Sequence, residues 1–167
     1  MLAGNDLTKY LQYKAWADDR LYQSLSGLPE STLAAPQPII FGSILRTLNH
    51  VYAMDVVWKA HLKGTAHGFT TRNPDVCPAF DQLRADQRTI DGWYLDYAEK
   101  LKPEVGKEVL QIAFIGGGGA RMSRVEILLH VVNHCTYHRG HIADMVYKIP
   151  ANPPTTDFPV FLRETSG

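Results

Sequence analysis

His130-Val131-Val132-Asn133-His134-Cys135-Thr136-Tyr137-His138-Arg139-Gly140-His141 is the stretch whose reading decides the fold. It holds four of the chain's seven histidines, at spacings of four, four and three. Residues four apart on an α-helix sit about 40° apart around the axis and roughly 6 Å along it. His130, His134, His138 and His141 therefore line one stripe of a single helix. Ser123 and Glu126 form a capping box that opens this helix. Pro150, Pro153 and Pro154 close it, so it runs from about Arg124 to Tyr147. Ile127, Val131, Ile142 and Met145 share the stripe, which makes it the interior seam of a bundle helix with histidines in core positions.

Three more helices precede it. From Asp6 to about Ser26, Leu7, Tyr10, Leu11, the stem of Lys14, Ala15, Leu21, Tyr22 and Leu25 recur at intervals of three and four. Residues 27–41 contain Pro29, Pro36 and Pro38 and read as a connector rather than an element. Ser43 is the N-cap of a second helix that runs to Lys63 and ends at Gly64. This helix is apolar around more than half its circumference, so it belongs between neighbours. A third helix spans about Pro78 to Leu101. Residues 109–115 suit a short extended segment before the turn at Gly116-Gly117-Gly118-Gly119. A short tail helix covers Asp157 to Arg163. The expected architecture is one all-α domain over residues 1–167: a four-helix bundle with long connectors and a short C-terminal helix.

Composition narrows the function. With 17 basic and 17 acidic residues the formal net charge is zero, which argues against a surface built to bind nucleic acid or acidic membranes. No run reaches the roughly 18 apolar residues of a membrane span, and the N-terminus does not read as a secretory signal. Cys77 and Cys135 are the only two cysteines and form no CxxC unit; reduced thiols in a cytoplasmic protein are the expectation.

A single histidine in a core is ordinarily a satisfied structural residue. Several in register are different, because each buried imidazole without a partner costs roughly 1–3 kcal/mol, and protonating them would bury like charges. A shared metal ion satisfies them together. The HxxxH pair His134/His138 supplies two ligands, and His50, in the middle of the apolar second helix, is the natural third. His61 and His67 read as solvated. The motif lacks the glutamate of HExxH, so no general base is built into it. Three protein ligands leave a coordination position open, as catalytic sites do.

These residues resemble a known family. Asn133-His134-Cys135-Thr136-Tyr137-His138-Arg139-Gly140-His141-Ile142 looks like the NHxxYHRGQ signature of DinB-like metalloenzymes (the DinB/YfiT superfamily). Leu48-Asn49-His50-Val51 through Asp55 and Trp58 looks like that family's LxHxxxxDxxW motif. Phe41-Gly42-Ser43 and Pro154-Thr155-Thr156-Asp157-Phe158 match its habits too, so the resemblance covers nearly the whole chain. It implies a four-helix bundle, commonly a homodimer, with a divalent transition metal, zinc or nickel first, held by His50, His134 and His138. It also implies a small-molecule ligand, and thiol-dependent transfer chemistry with bacillithiol, mycothiol or glutathione as cosubstrate. No nucleic acid or membrane partner is expected. The sequence departs from the family at His141, where glutamine is usual; an imidazole there would be a further ligand, an outer partner or a proton carrier. His130 reads as a structural or outer partner. Asn49 and Asp55 would orient His50, although Asp55 equally suits pairing with a basic neighbour. Arg139 would anchor an anionic group, with an ordinary salt bridge as the better expectation. Gly140 would permit close helix approach, and Trp58 and Tyr137 would be core or pocket wall. Two functions follow: a cytoplasmic metal-dependent enzyme, thiol transferase or hydrolase in type and serving detoxification or stress response, or a non-catalytic stress-response protein whose metal stabilises the bundle.

Overall fold

The computed structural model describes residues 4–165. Its elements are α1 (Gly4–Leu25), α2 (Glu30–Ala34), α3 (Ile44–Lys63), α4 (Phe80–Glu99), α5 (Pro103–Gly106), β1 (Val109–Ala113), β2 (Gly119–Ser123), α6 (Arg124–Val146) and α7 (Phe158–Thr165). The fold is all-α, with one antiparallel two-stranded hairpin as its only sheet among the described residues. Three ends of the four long helices carry the expected chemistry. Ser43 accepts from the Arg46 N–H, and Gly64 closes α3 in the left-handed region, at φ 65°, where a side chain would be strained. The Ser123–Glu126 capping box opens α6.

One local expectation needs correction, and another is extended. Residues 27–41 do contain an element, the short α2, whose Leu33 is fully buried. Pro29 tolerates the position just before a helix because it has no N–H to satisfy. Glu30 earns the helix its place by accepting from the Phe80 backbone N–H at 3.2 Å, capping α4, whose own N-cap residue Ala79 offers no side-chain oxygen. The extended segment at 109–115 is one arm of a hairpin whose second arm follows the glycine turn.

In the bundle, α1 packs on α4 and α6, and α3 packs on the same two, so α1 and α3 face each other across the middle. Two apolar cores fill it. One is built on Leu11, Met54, Val57, Ile90, Tyr94, Ile127 and Val131, and the other on Leu21, Leu25, Ile44, Leu48, Leu83, Ile142 and Met145. Between them lies a polar layer. Lys14 and Asp18 fall between Leu11 and Leu21 on α1, Gln87 between Leu83 and Ile90 on α4, and Cys135 and Arg139 between Val132 and Ile142 on α6, all buried. The Lys14 ammonium donates to Asp18 at 3.0 Å, Asp55 at 2.8 Å and Asp91 at 2.5 Å. Gln87 bridges Asp55 and Asp91 through its amide N–H, and Arg139 sits 3.5 Å from Asp18. Burial by itself would lower the Lys14 pKa, but Asp18, Asp55 and Asp91 outweigh it and raise the pKa well above its usual range. Burial pushes Asp91 up to about 7 against the pull of Lys14. No helix among the described residues is long and apolar enough to cross a membrane.

Candidate metal centre

Helices α3 and α6 bring His50, His134 and His138 together. The His50 Nε2 lies 3.1 Å from the Nε2 of His134 and 3.2 Å from that of His138, although 84 and 88 residues separate them in sequence. Among the described residues these three make the group of side chains able to hold a metal ion. The seam of α6 itself is formed by Ile127, Val131, Cys135, Ile142 and Met145, all essentially buried. The histidine stripe runs along the edge of that seam: His138 is buried, while His130, His134 and His141 are half-buried. The expectation that the stripe is the interior seam is therefore corrected. An edge position leaves the imidazoles within reach of a ligand from outside.

The rings are held in the form a metal needs. His50 Nδ1 is 2.6 Å from the carbonyl of Arg72, in the loop between α3 and α4. A carbonyl only accepts, so the single proton of neutral His50 sits on Nδ1, and its Nε2 turns a lone pair toward the other two rings. Burial lowers the pKa of His50 and His130. Burial, then the neighbouring histidines, takes His134 down to about 2 and His138 down to about 4. All four favour neutral imidazole, the ligating form. His134 Nδ1 is buried without a protein partner. Nitrogens bound tetrahedrally to a zinc-sized ion at roughly 2.0–2.1 Å stand about 3.3–3.4 Å from each other. The 3.1 and 3.2 Å separations are close to that spacing before any ion enters.

Aromatic rings enclose the triad. Phe41, just before α3, stacks on His50 with centroids 4.0 Å apart and reaches His138 at 5.4 Å. Tyr137 stands edge-on to His138 and His141, at 5.0 and 4.5 Å. It is 62 % exposed, so it is a wall of the site and not core. Trp58 is buried and lies beneath His130, at 4.5 Å. His141 Nδ1 meets His138 Nδ1 at 3.3 Å.

The other expected site residues lie elsewhere. Asn49 donates to the Val76 carbonyl at 3.3 Å and pins the α3–α4 loop; it leaves the orientation of His50 to Arg72. Asp55 faces the opposite side of α3 and belongs to the Lys14 cluster. Arg139 is spent on Asp18, the Tyr13 hydroxyl and Thr156, which rules it out as an anchor for an outside anion. Cys135 donates to Asp18 at 2.8 Å, away from the triad. Gly140 is exposed, and a Cβ there would meet nothing within 4 Å, so no helix packs close to it. His61 and His67 are half-buried rather than solvated, their ring centroids 5.8 Å apart, and His67 Nδ1 accepts from the Phe69 N–H. Two features of the site escaped the sequence. The Arg72 carbonyl carries no side-chain signature that could have revealed it. The stacking of Phe41 had a trace in the Phe-Gly-Ser motif but no indication of a partner.

Comparison with known proteins identifies the family and the fold. The protein DinB of Bacillus subtilis (strain 168) is 27 % identical over 168 residues, covering 94 % of this chain and 94 % of that protein. The crystal structure of a DinB-like protein from Bacillus cereus ATCC 10987 superposes with a TM-score of 0.67, covering 87 % of this chain and 94 % of that one; at 14 % identity it speaks to the fold alone. The family model described as "DinB family" matches residues 1–166, and the chain belongs to the DinB family.

Proposed function

We propose that His50, His134 and His138 hold a divalent transition metal, zinc or nickel first, and that the protein is a metal-dependent enzyme of the thiol-transferase type serving detoxification or stress response. The observation that carries the metal reading is the convergence of three neutral Nε2 atoms at 3.1 and 3.2 Å, with the His50 proton held on the far side by Arg72. A metal bound there would act as a Lewis acid that favours the deprotonated form of a thiol or water at the open position. The protein's own groups do the remaining work. The Arg72 carbonyl fixes the plane of His50, Phe41 shields that ring from water, and Tyr137 walls the approach beside His138.

The same family reading makes the molecule a homodimer with a small-molecule ligand. The exposed Tyr137 of α6 and Tyr147 just beyond its end provide apolar surface that a second copy would cover. Free Cys77 and Cys135 suit a reducing, cytoplasmic setting. A non-catalytic, bundle-stabilising metal is the second reading, favoured by the near-complete burial of His50 and His138, each 4 % exposed.

Metal analysis of protein purified without an affinity tag tests the site. About one equivalent per chain is expected, lost in His50→Ala; a content below about a tenth of an equivalent sinks it. In cobalt-loaded protein, a spectral change on adding a low-molecular-weight thiol, together with thiol-dependent consumption of an electrophile, supports the enzyme. A large stabilisation by metal with no response to any thiol supports the second reading instead.

A further inference from the structure

Each of the three site histidines points Nε2 inward, so each has an Nδ1 to account for. That of His50 is committed to a backbone carbonyl, and that of His134 has no protein partner. His138 differs from both. Its Nδ1 lies 3.3 Å from the Nδ1 of His141, one turn further along α6. Of the two outer contacts it is the one made by a side chain, and therefore the one that substitution can remove.

The proton count fixes the direction of this contact, given the metal reading above, on which the inference rests. A neutral imidazole carries one proton. If His138 offers the Nε2 lone pair to a metal, its proton is on Nδ1, and the atom facing that proton must accept. His141 then has a bare Nδ1, with its own proton on Nε2, turned away from His138. We propose that His141 is a positioning residue: it accepts the Nδ1–H of His138, selecting the tautomer in which His138 can ligate and holding the plane of its ring. Tyr137 completes the device. Its ring is edge-on to both imidazoles, at 5.0 and 4.5 Å, which keeps them facing each other. Direct ligation by His141 is disfavoured by the same geometry. Its Nδ1 is used on His138, and its nitrogens fall outside the group whose members all lie within 4.8 Å of one another.

Glutamine at this position would keep the function by another atom, since its carbonyl Oε1 accepts as well as a bare imidazole nitrogen. Leucine fills similar space and accepts nothing. The experiment uses the full chain loaded with zinc and measures affinity by competition with a chelator. His141→Leu is expected to weaken zinc binding about 10- to 100-fold, the usual cost of removing an outer partner of a ligating histidine. His141→Gln is expected to stay within a few-fold of the parent, because it restores the acceptor. Nitrogen-15 NMR of the zinc-loaded parent reads the tautomers directly and needs no variant: His138 should carry its proton on Nδ1 and His141 on Nε2. Leucine binding zinc as tightly as histidine overturns the proposal, and so does a proton found on the Nδ1 of His141. If the parent itself takes up no zinc, both this inference and the metal reading fall. A parent that binds zinc, with the His141→Leu variant unaffected, removes this inference alone.

Discussion

Replacing Lys14 by methionine should be among the most damaging single changes this bundle can suffer. Methionine matches the length and apolar stem of lysine, so packing is nearly preserved and charge is the variable. The ammonium donates to Asp18, Asp55 and Asp91, and the side chains of these three carboxylates are no more than 6 % exposed. With Lys14 and Arg139 present, two cations face three carboxylates. Without Lys14, Arg139 is left alone against all three. Breaking a buried pair from one side typically costs about 3–5 kcal/mol, because the remaining charge is neither solvated nor matched. That loss is expected in urea denaturation at pH 8. Protons can partly replace the ammonium, so the loss should shrink toward pH 5, by about 1.4 kcal/mol for each pH unit over which the folded variant holds one more proton than the folded parent. Adding Asp91→Asn to Lys14→Met removes one stranded charge, so the double variant should be more stable than the single one at pH 8. A single variant that loses less than about 1 kcal/mol at pH 8, with the same value at pH 5, would show that the cluster is not held by charge.

Two further outcomes follow from groups described above. In metal-free protein, burial together with neighbouring histidines depresses His134 to about 2 and His138 to about 4, from 6.5. Depressed groups leave stability intact above their unfolded pKa and remove it as pH falls, so these two act against folding below pH 6.5. Asp91, raised from 3.8 to about 7, works the other way, holding one extra proton in the folded state over that range. His50 and His130, also lowered by burial, add to the loss, and Asp55, raised by burial, opposes it. The histidines outnumber the carboxylates, so a net loss on the order of 1 kcal/mol per pH unit is expected between roughly pH 6 and 4, to be read from urea midpoints of chelator-treated protein; a midpoint constant or rising toward pH 5 contradicts it. Gly119→Ala would place a Cβ 2.3 Å from the Ile112 carbonyl oxygen across the hairpin. The strand must move, so a loss of about 1–3 kcal/mol is expected, with faster amide exchange in β1; a melting temperature equal to the parent's would refute the close approach.

The parts of this fold that the sequence discloses are those where one residue type repeats along one face. The long helices show themselves by apolar spacing, with Ser43, Gly64 and the Ser123–Glu126 box marking three of their ends. His134 and His138 are legible as a pair because four residues make one helical turn, and His50 because an imidazole in an apolar helix needs a reason to be there. The Lys14 cluster was written in the same code. Lys14 follows Leu7 and Leu11 on one face, and Asp55 and Asp91 fall among the apolar residues of their helices. Counting only the stem of Lys14 in the apolar face left its charge out of account. What could not be read is contact made by backbone: the carbonyl of Arg72, in a loop with no periodic pattern, sets the tautomer of His50. The short α2 was masked by its flanking prolines, and its role depends on Glu30 reaching α4, 50 residues away.

The polar layer has a consequence for the order in which the chain folds. Lys14 meets its partners on α3 and α4 at sequence separations of 41 and 77, and Asp18 meets Cys135 at 117. No pair of neighbouring helices can complete the layer, so a partly assembled bundle would have to dehydrate carboxylates before their cation arrives. The two apolar cores draw on the same four helices, one on each side of the layer, so the middle stays wet until α1 docks with α3, α4 and α6 together. The rate-limiting step is then the docking of these distant segments with the expulsion of water from between them, before the ion pairs close. On that view, Lys14→Met slows folding less than it speeds unfolding, since the ion cluster forms only after the transition state has been crossed.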